Sequence, residues 1–313
     1  LSSQKLLFLL SLLTLGVSHV VNHFSQCKEF FLKKETPDIR YILKDGNKYK
    51  NDYRFATLYD TTNRIPVFSA YKFTGAVKGR PGQAWMIEPD LEGKNSNENM
   101  KVTNIQSTNQ AVDADNEKNT LHMDRGHLLP CSYTPDIDAK KSTFTLTNAV
   151  PQASSFNQVS WRKMECSVRK FLENNCIDAN RNLQAYLVTG AVPGNNYLNN
   201  KVNIPSSMWN AFCCYNSNKK EWIAQGYWGE NDQSVNPSLI TLKDLEEELA
   251  TGYSTNPNPV KVFPDECPRN VKDIKRKRRQ VKEDEGEKGG KEPRTEMDDC
   301  CEEDECDCDC DEM

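Results

Sequence analysis

Histidine is scarce: the 313 residues contain four. His19 and His23 lie near the N-terminus, which leaves His122 and His127 for the folded body. Apolar residues are few as well. They make up 37% of the chain and the mean hydropathy is −0.75, so part of the sequence is expected to lie outside any core. No internal repeat is present, which excludes a repeat array. The one Asn-x-Ser/Thr triplet has proline in the middle (Asn236-Pro237-Ser238), so N-glycosylation gives no support for secretion. Only one long apolar run occurs, Leu6 to Val17 behind Lys5. It is short for a membrane span. With small residues at Gly16 and Ser18 it reads as a secretory signal peptide over 1–18, the competing reading being a membrane anchor.

Cysteine, by contrast, is plentiful. Of the twelve, seven lie in the body (Cys27, Cys131, Cys166, Cys176, Cys213, Cys214 and Cys267) and five in the last fourteen residues. That usage fits an oxidising compartment and a secreted product. Cys27 and Cys267 bracket the body, so an end-to-end clamp is the attractive pairing, although spacing cannot decide connectivity. The net charge of −5 hides two opposite halves. Val281–Met313 holds 16 acidic and 4 basic residues, leaving 36 basic and 29 acidic in the preceding 280. A basic body suits a polyanionic partner. The tail from 268 to 313 cannot bury enough apolar surface to fold alone and is expected to be disordered.

Periodicity outlines the body. Residues 65–73, 143–147 and 185–190 read as strands, with a shorter one at 121–124 leading into the following motif. Residues 211–215 and 222–228 flank a polar turn and read as a hairpin. From Asn157 to Asn174 the apolar residues recur at three and four, giving a helix. Thr241 and Asp244 place a capped helix start before Leu242, Leu245 and Leu249. Strands and helices alternate without βαβ regularity, which predicts an α+β fold with a central antiparallel or mixed sheet and flanking helices.

One run concentrates chemistry: Asp124-Arg125-Gly126-His127. Imidazole can take a proton from water near neutral pH. Guanidinium matches a phosphate, and Gly126 permits an unusual backbone beside His127. A buried structural histidine is the plainer reading of a lone His. The company of Asp124 and Arg125 favours the catalytic one, and His122 keeps the structural one. Downstream, Asn157, Trp161 and Glu165 are spaced by four and fall on one helical face. An amide oxygen and a carboxylate there could hold a hydrated Mg²⁺, which needs few protein ligands. A helix cap and a salt bridge are the alternative.

Asp-Arg-Gly-His, then Asn148-x-x-Pro151-Gln152, then Asn157-Gln158-x-x-Trp161-x-x-x-Glu165 resembles the DNA/RNA non-specific endonuclease family, whose site is a ββα-metal (His-Me) finger. Residues 64–71 (Arg-Ile-Pro-Val-Phe-Ser-Ala-Tyr) and 85–89 (Trp-Met-Ile-Glu-Pro) resemble the vertebrate endonuclease-domain-containing proteins within it. The resemblance spans about residues 27–267 and implies a nuclease domain over 19–267. It also implies roles. His127 would be the general base and Asn157 the direct Mg²⁺ ligand, with Mn²⁺ or another divalent ion as substitutes. Glu165 would hold metal-bound water, Arg125 and Arg80 would face the phosphate, and Asn148 would help fix the site. The sequence departs from the family's pattern at Pro81-Gly82-Gln83 and at Val159, where glycine is usual.

DNA or RNA is thus the expected partner, read through its backbone, with no stable membrane span. Arg276-Lys277-Arg278-Arg279 matches a proprotein-convertase site, and cleavage after Arg279 would release the acidic tail from the basic body. The rival readings are a catalytically silent relative that binds nucleic acid or a protein partner, and an interaction protein that works through its cysteine-rich tail.

Overall fold

A computed structural model of the chain describes residues 19–20, 24–39, 47–48, 54–93, 100–102, 107–117, 119–254 and 259–270. The apolar run before His19, residues 94–99 and 103–106, and the tail with Arg276–Arg279 lie outside the described residues.

In chain order the strands are β1 (His19–Val20), β2 (Asn47–Lys48), β3 (Ala56–Asp60), β4 (Ile65–Phe73), β5 (Met123–His127), β6 (Ala149–Ala153), β7 (Ala185–Val192), β8 (Asn196–Leu198), β9 (Val202–Ile204), β10 (Ser207–Asn216), β11 (Glu221–Glu230) and β12 (Ser238–Ile240). The α-helices are α1 (Asp113–Glu117), α2 (Ile137–Ser142), α3 (Arg162–Asn175) and α4 (Leu242–Gly252). One eight-stranded sheet runs β1-β2-β3-β4-β7-β10-β11-β12. Every pairing in it is antiparallel, so the architecture is α+β, as expected.

Alternation along the central strands explains the layers. Tyr71 and Phe73, Leu187 and Ala191, and Met208, Phe212 and Cys214 enter one core with Trp161, Val168, Phe171 and Leu172 from the α3 region. Their neighbours Phe68 and Ala70, Val188 and Val192, and Trp209, Ala211 and Cys213 enter the opposite core with Leu242, Leu245 and Leu249 of α4. Each strand is apolar on both faces because both faces are covered. Helix α4 starts where the sequence places it: Thr241 Oγ1 accepts from the Asp244 N–H at 3.0 Å, and the Asp244 carboxylate accepts from the Thr241 N–H at 3.4 Å.

The cysteines join the layers. Cys176, at the end of α3, bonds to Cys214, and Cys213 bonds to Cys267. Cys131 and Cys166 are disulfide-bonded too. The expected Cys27–Cys267 clamp is therefore not formed; the strand beneath Cys267 offers Cys213 instead.

Two further expectations change. Residues 143–147 are not a strand, because Thr143 and Phe144 donate their N–H groups back into the end of α2, at 3.3 and 3.1 Å. Only Thr145 makes a bridge, to Met86, before a 3-10 turn at Leu146–Asn148. Residues 124–127 do not follow a strand; they are most of β5.

Candidate active site

Strands β5 and β6 pair outside the main sheet, with His127 opposite Ala149, Gly126 opposite Val150 and Asp124 opposite Gln152. A helix follows at once, so the unit is a ββα finger. Asn231, at the end of β11, fastens it to the body. Its side chain accepts from the Ala153 N–H at 2.8 Å and donates to Pro151 and Pro205 carbonyls at 3.0 Å each.

The helix enters through a π-turn, Phe156–Trp161. Ser155 and Ser160 anchor it by donating to the carbonyls of Gln233 and Val235. The π-turn leads straight into α3 at Arg162. Asn157 lines the cleft, whereas Trp161 is buried in the core. Glu165 is not among the cleft-lining residues. Its backbone carbonyl accepts from Tyr133 Oη at 2.5 Å, and its charge acts on the buried Tyr71 and Tyr133.

Four expected site residues do meet. Arg80, Arg125, His127 and Asn157 line one cleft of about 260 Å³, together with Trp85, Asp124, Gln158, Asn116, Asn119 and Met123. A shallower shelf lined by residues 80–85 and Arg125 adjoins it. Asn148 sits beneath the cleft rather than in it. Fully buried, its Oδ1 accepts from Ser69 Oγ and the Leu129 N–H, both at 3.0 Å, and its Nδ2 donates to the Leu129 and Thr143 carbonyls, both at 3.1 Å. It therefore fixes the chain just after His127 by joining the loop after β5 to β4.

His127 stands in an aromatic cage. Trp85 lies 4.9 Å from it between ring centroids, and Phe144 meets it edge-on at 5.0 Å. Nε2 is buried with no hydrogen-bond partner among the described residues. Burial, then the charges of Arg80 and Arg125, push the imidazole pKa down to about 3. The ring is thus neutral at pH 7 and able to accept a proton. The two arginines are braced by the same cage: Arg80 over Phe144 at 5.1 Å and Arg125 over Trp85 at 5.3 Å. Arg125 also forms an ion pair with Asp113 of α1.

Asp124 supplies a further element. Its Oδ2 accepts from Asn157 Nδ2 at 3.2 Å and Gln158 Nε2 at 2.8 Å, and its Oδ1 accepts from Ser154 Oγ at 2.8 Å. This fixes which end of the Asn157 amide points away. Asn157 Oδ1 takes no hydrogen bond among the described residues, and a bare amide oxygen is a suitable hard ligand for Mg²⁺. Among those residues no three His, Cys, Asp or Glu side chains gather as a metal cage. Trp85, Phe144 and Asp113 are contributions the motif does not reveal, because they arrive from outside it.

A ββα finger with imidazole, guanidinium and amide groups around one cleft, set on an α+β body, is the class that fold and site define. A model of the DNA/RNA non-specific endonuclease family matches residues 37–261, and the chain belongs to that family. Among curated proteins, the human endonuclease domain-containing 1 protein is 30% identical over 201 residues, covering 61% of this chain and 39% of that protein. The mouse protein of the same name is 28% identical over 255 residues, covering 78% of this chain and 48% of that protein. The chain thus spans less than half the length of either relative. Among solved structures, the EndoG/EndoGI complex matches with a TM-score of 0.45 at 16% identity, covering 64% of this chain and 83% of that one.

Proposed function

We propose that this protein is a secreted, metal-dependent endonuclease that hydrolyses phosphodiester bonds of DNA or RNA without sequence preference. The observation that carries the reading is the meeting of His127, Arg125, Arg80 and Asn157 around one cleft. His127 is kept neutral and takes a proton from the attacking water. Arg125 and Arg80 hold the phosphate, and its negative charge offsets theirs, which after burial are the charges that lower the imidazole pKa. Asn157 holds the cation through Oδ1, Asp124 keeps that amide turned, and Glu165 contributes only through water, consistent with its place outside the cleft lining. When bound, Mg²⁺ or another divalent ion neutralises charge on the scissile phosphate and the leaving oxygen. Because these contacts read backbone and charge, little base preference is expected.

The nuclease domain is assigned to 19–267, between a removed signal peptide and the acidic tail. Arg269 bonds to Glu246 and to the Phe263 carbonyl, so folded contacts continue to that residue. The disulfides are typical of extracellular proteins, and no described helix is long and apolar enough to cross a membrane. Plasmid digestion with and without EDTA, using the wild type and His127→Ala, tests the reading. The variant should bind nucleic acid yet cut about 10²–10⁴-fold more slowly. Wild-type-like cutting by that variant rejects His127 as the base. EDTA-insensitive cutting rejects the metal.

A further inference from the structure

One cleft residue, Arg125, is paired with a carboxylate that the proposed reaction does not use. Asp113, the first residue of α1, is paired with the Arg125 guanidinium. On β5 the side chains of Arg125 and His127 share a face, and both rest on Trp85. The atom set that would receive a phosphate beside the base is thus occupied by an internal anion. The segment bearing Asp113 is positioned to hold it there. Asp115, two residues on, is paired with Lys201 at 2.7 Å and accepts through its backbone carbonyl from Asn199 Nδ2 at 2.7 Å. Asn119 accepts from the Met123 N–H and donates to the Met123 carbonyl, both at 2.9 Å, which fastens the segment to the start of β5. Asn116 and Asn119 line the same cleft.

We infer that Asp113 occupies, in the resting protein, the seat on Arg125 that a substrate phosphate takes, and so sets the threshold for entry to the cleft. The inference rests on the nuclease reading above and deepens it. The side chains of Arg125 and Asp113 are 29% and 38% exposed, so the pair is a partly solvated one that a stronger anion can displace. A phosphate offers guanidinium a charge-assisted, two-pronged contact, and a polymer adds neighbouring phosphates for Arg80. A lone monoanion supplies neither the second charge nor the second contact. Asp113 thereby selects multiply charged phosphate chains over small anions.

The test is binding of a fluorescein-labelled duplex oligonucleotide to the full chain in EDTA, followed by anisotropy across a salt series. Asp113→Asn should tighten binding about two- to five-fold and steepen the slope of log K against log salt by up to about one. Asp113→Glu, which keeps the charge, should bind as the wild type does. In an Arg125→Ala background the gain from Asp113→Asn should disappear. A gain of equal size in that background would mean that Asp113 acts only through the general field, which overturns the inference. So would unchanged affinity in the single variant. A wild type that does not bind the duplex in EDTA, and does not cut it when Mg²⁺ is supplied instead, sinks the nuclease reading itself, so the two failures are told apart.

Discussion

Gly126→Ala is the sharpest test of how the finger is built. A methyl at this position would lie 2.0 Å from Gln152 Oε1, 2.7 Å from its Cβ and 2.9 Å from its Cδ. The amide end can swing aside at little cost, since both its polar atoms already lack partners among the described residues. The Cβ cannot, because it is fixed by the strand. Bringing 2.7 Å to the 3.4 Å of ordinary contact requires β5 and β6 to separate by about 0.7 Å. Overpacking of this kind costs about 1–3 kcal/mol. In a domain of this size that lowers Tm by about 2–12 °C. The larger effect is expected on turnover. The separation moves His127 and Asp124 relative to Asn157, and a shift near 1 Å can cost about 10²-fold. Thermal melts and plasmid-cleavage rates should be compared for Gly126→Ala, Gln152→Gly and the double variant. All three nearest atoms belong to the Gln152 side chain, so the double variant should recover to the level of Gln152→Gly. A double variant as impaired as Gly126→Ala refutes the clash, and a fully active, fully stable Gly126→Ala refutes the whole geometry.

Three other outcomes are expected. His127 has its pKa lowered on folding, from 6.5 to about 3, so between those values the unfolded chain binds the extra proton and stability falls as pH drops. His127→Gln should flatten that part of a Tm–pH curve; an identical slope in both proteins contradicts the burial of the ring. The two disulfides with sequence separations of 38 and 54 residues should each contribute about 4 kcal/mol by limiting the unfolded chain. Denaturant titration of the paired Cys→Ala variants checks this, with a loss well under 1 kcal/mol counting against it. Arg80→Ala should weaken binding to every sequence alike and reduce the salt slope by about 0.9 on duplex DNA; a sequence-dependent loss would mean that Arg80 reads bases.

Local rules made much of this fold legible. Residues 65–73 are readable as a strand because they are apolar nearly throughout, as both covered faces of β4 require, and Thr241 with Asp244 forms the reciprocal cap that their spacing predicts. The finger was legible through its motif, as Arg125, His127 and Asn157 do share a cleft. What escaped the sequence depends on contacts between distant segments. Trp85 reaches His127 across 42 positions, and no periodicity marks that meeting. The π-turn at Phe156–Trp161 leaves no signature in residue spacing, so the shape of the helix entry is not legible there. Cysteine pairing is equally silent, which is why Cys267 was free to be assigned the wrong partner.

The adjacent cysteines of β10 have a consequence for how the chain matures. Neighbouring residues on a strand face opposite ways, so once β10 lies in the sheet Cys213 and Cys214 are out of each other's reach. Cys214 meets only the layer of α3, and Cys213 only the layer of the C-terminal segment. Sheet assembly therefore acts as a proofreader for oxidation, turning a choice among several thiols into a choice of side. An oxidant acting before the sheet has formed meets no such discrimination. The yield of active protein should then depend on the order of these two events, and slow oxidation should outperform fast.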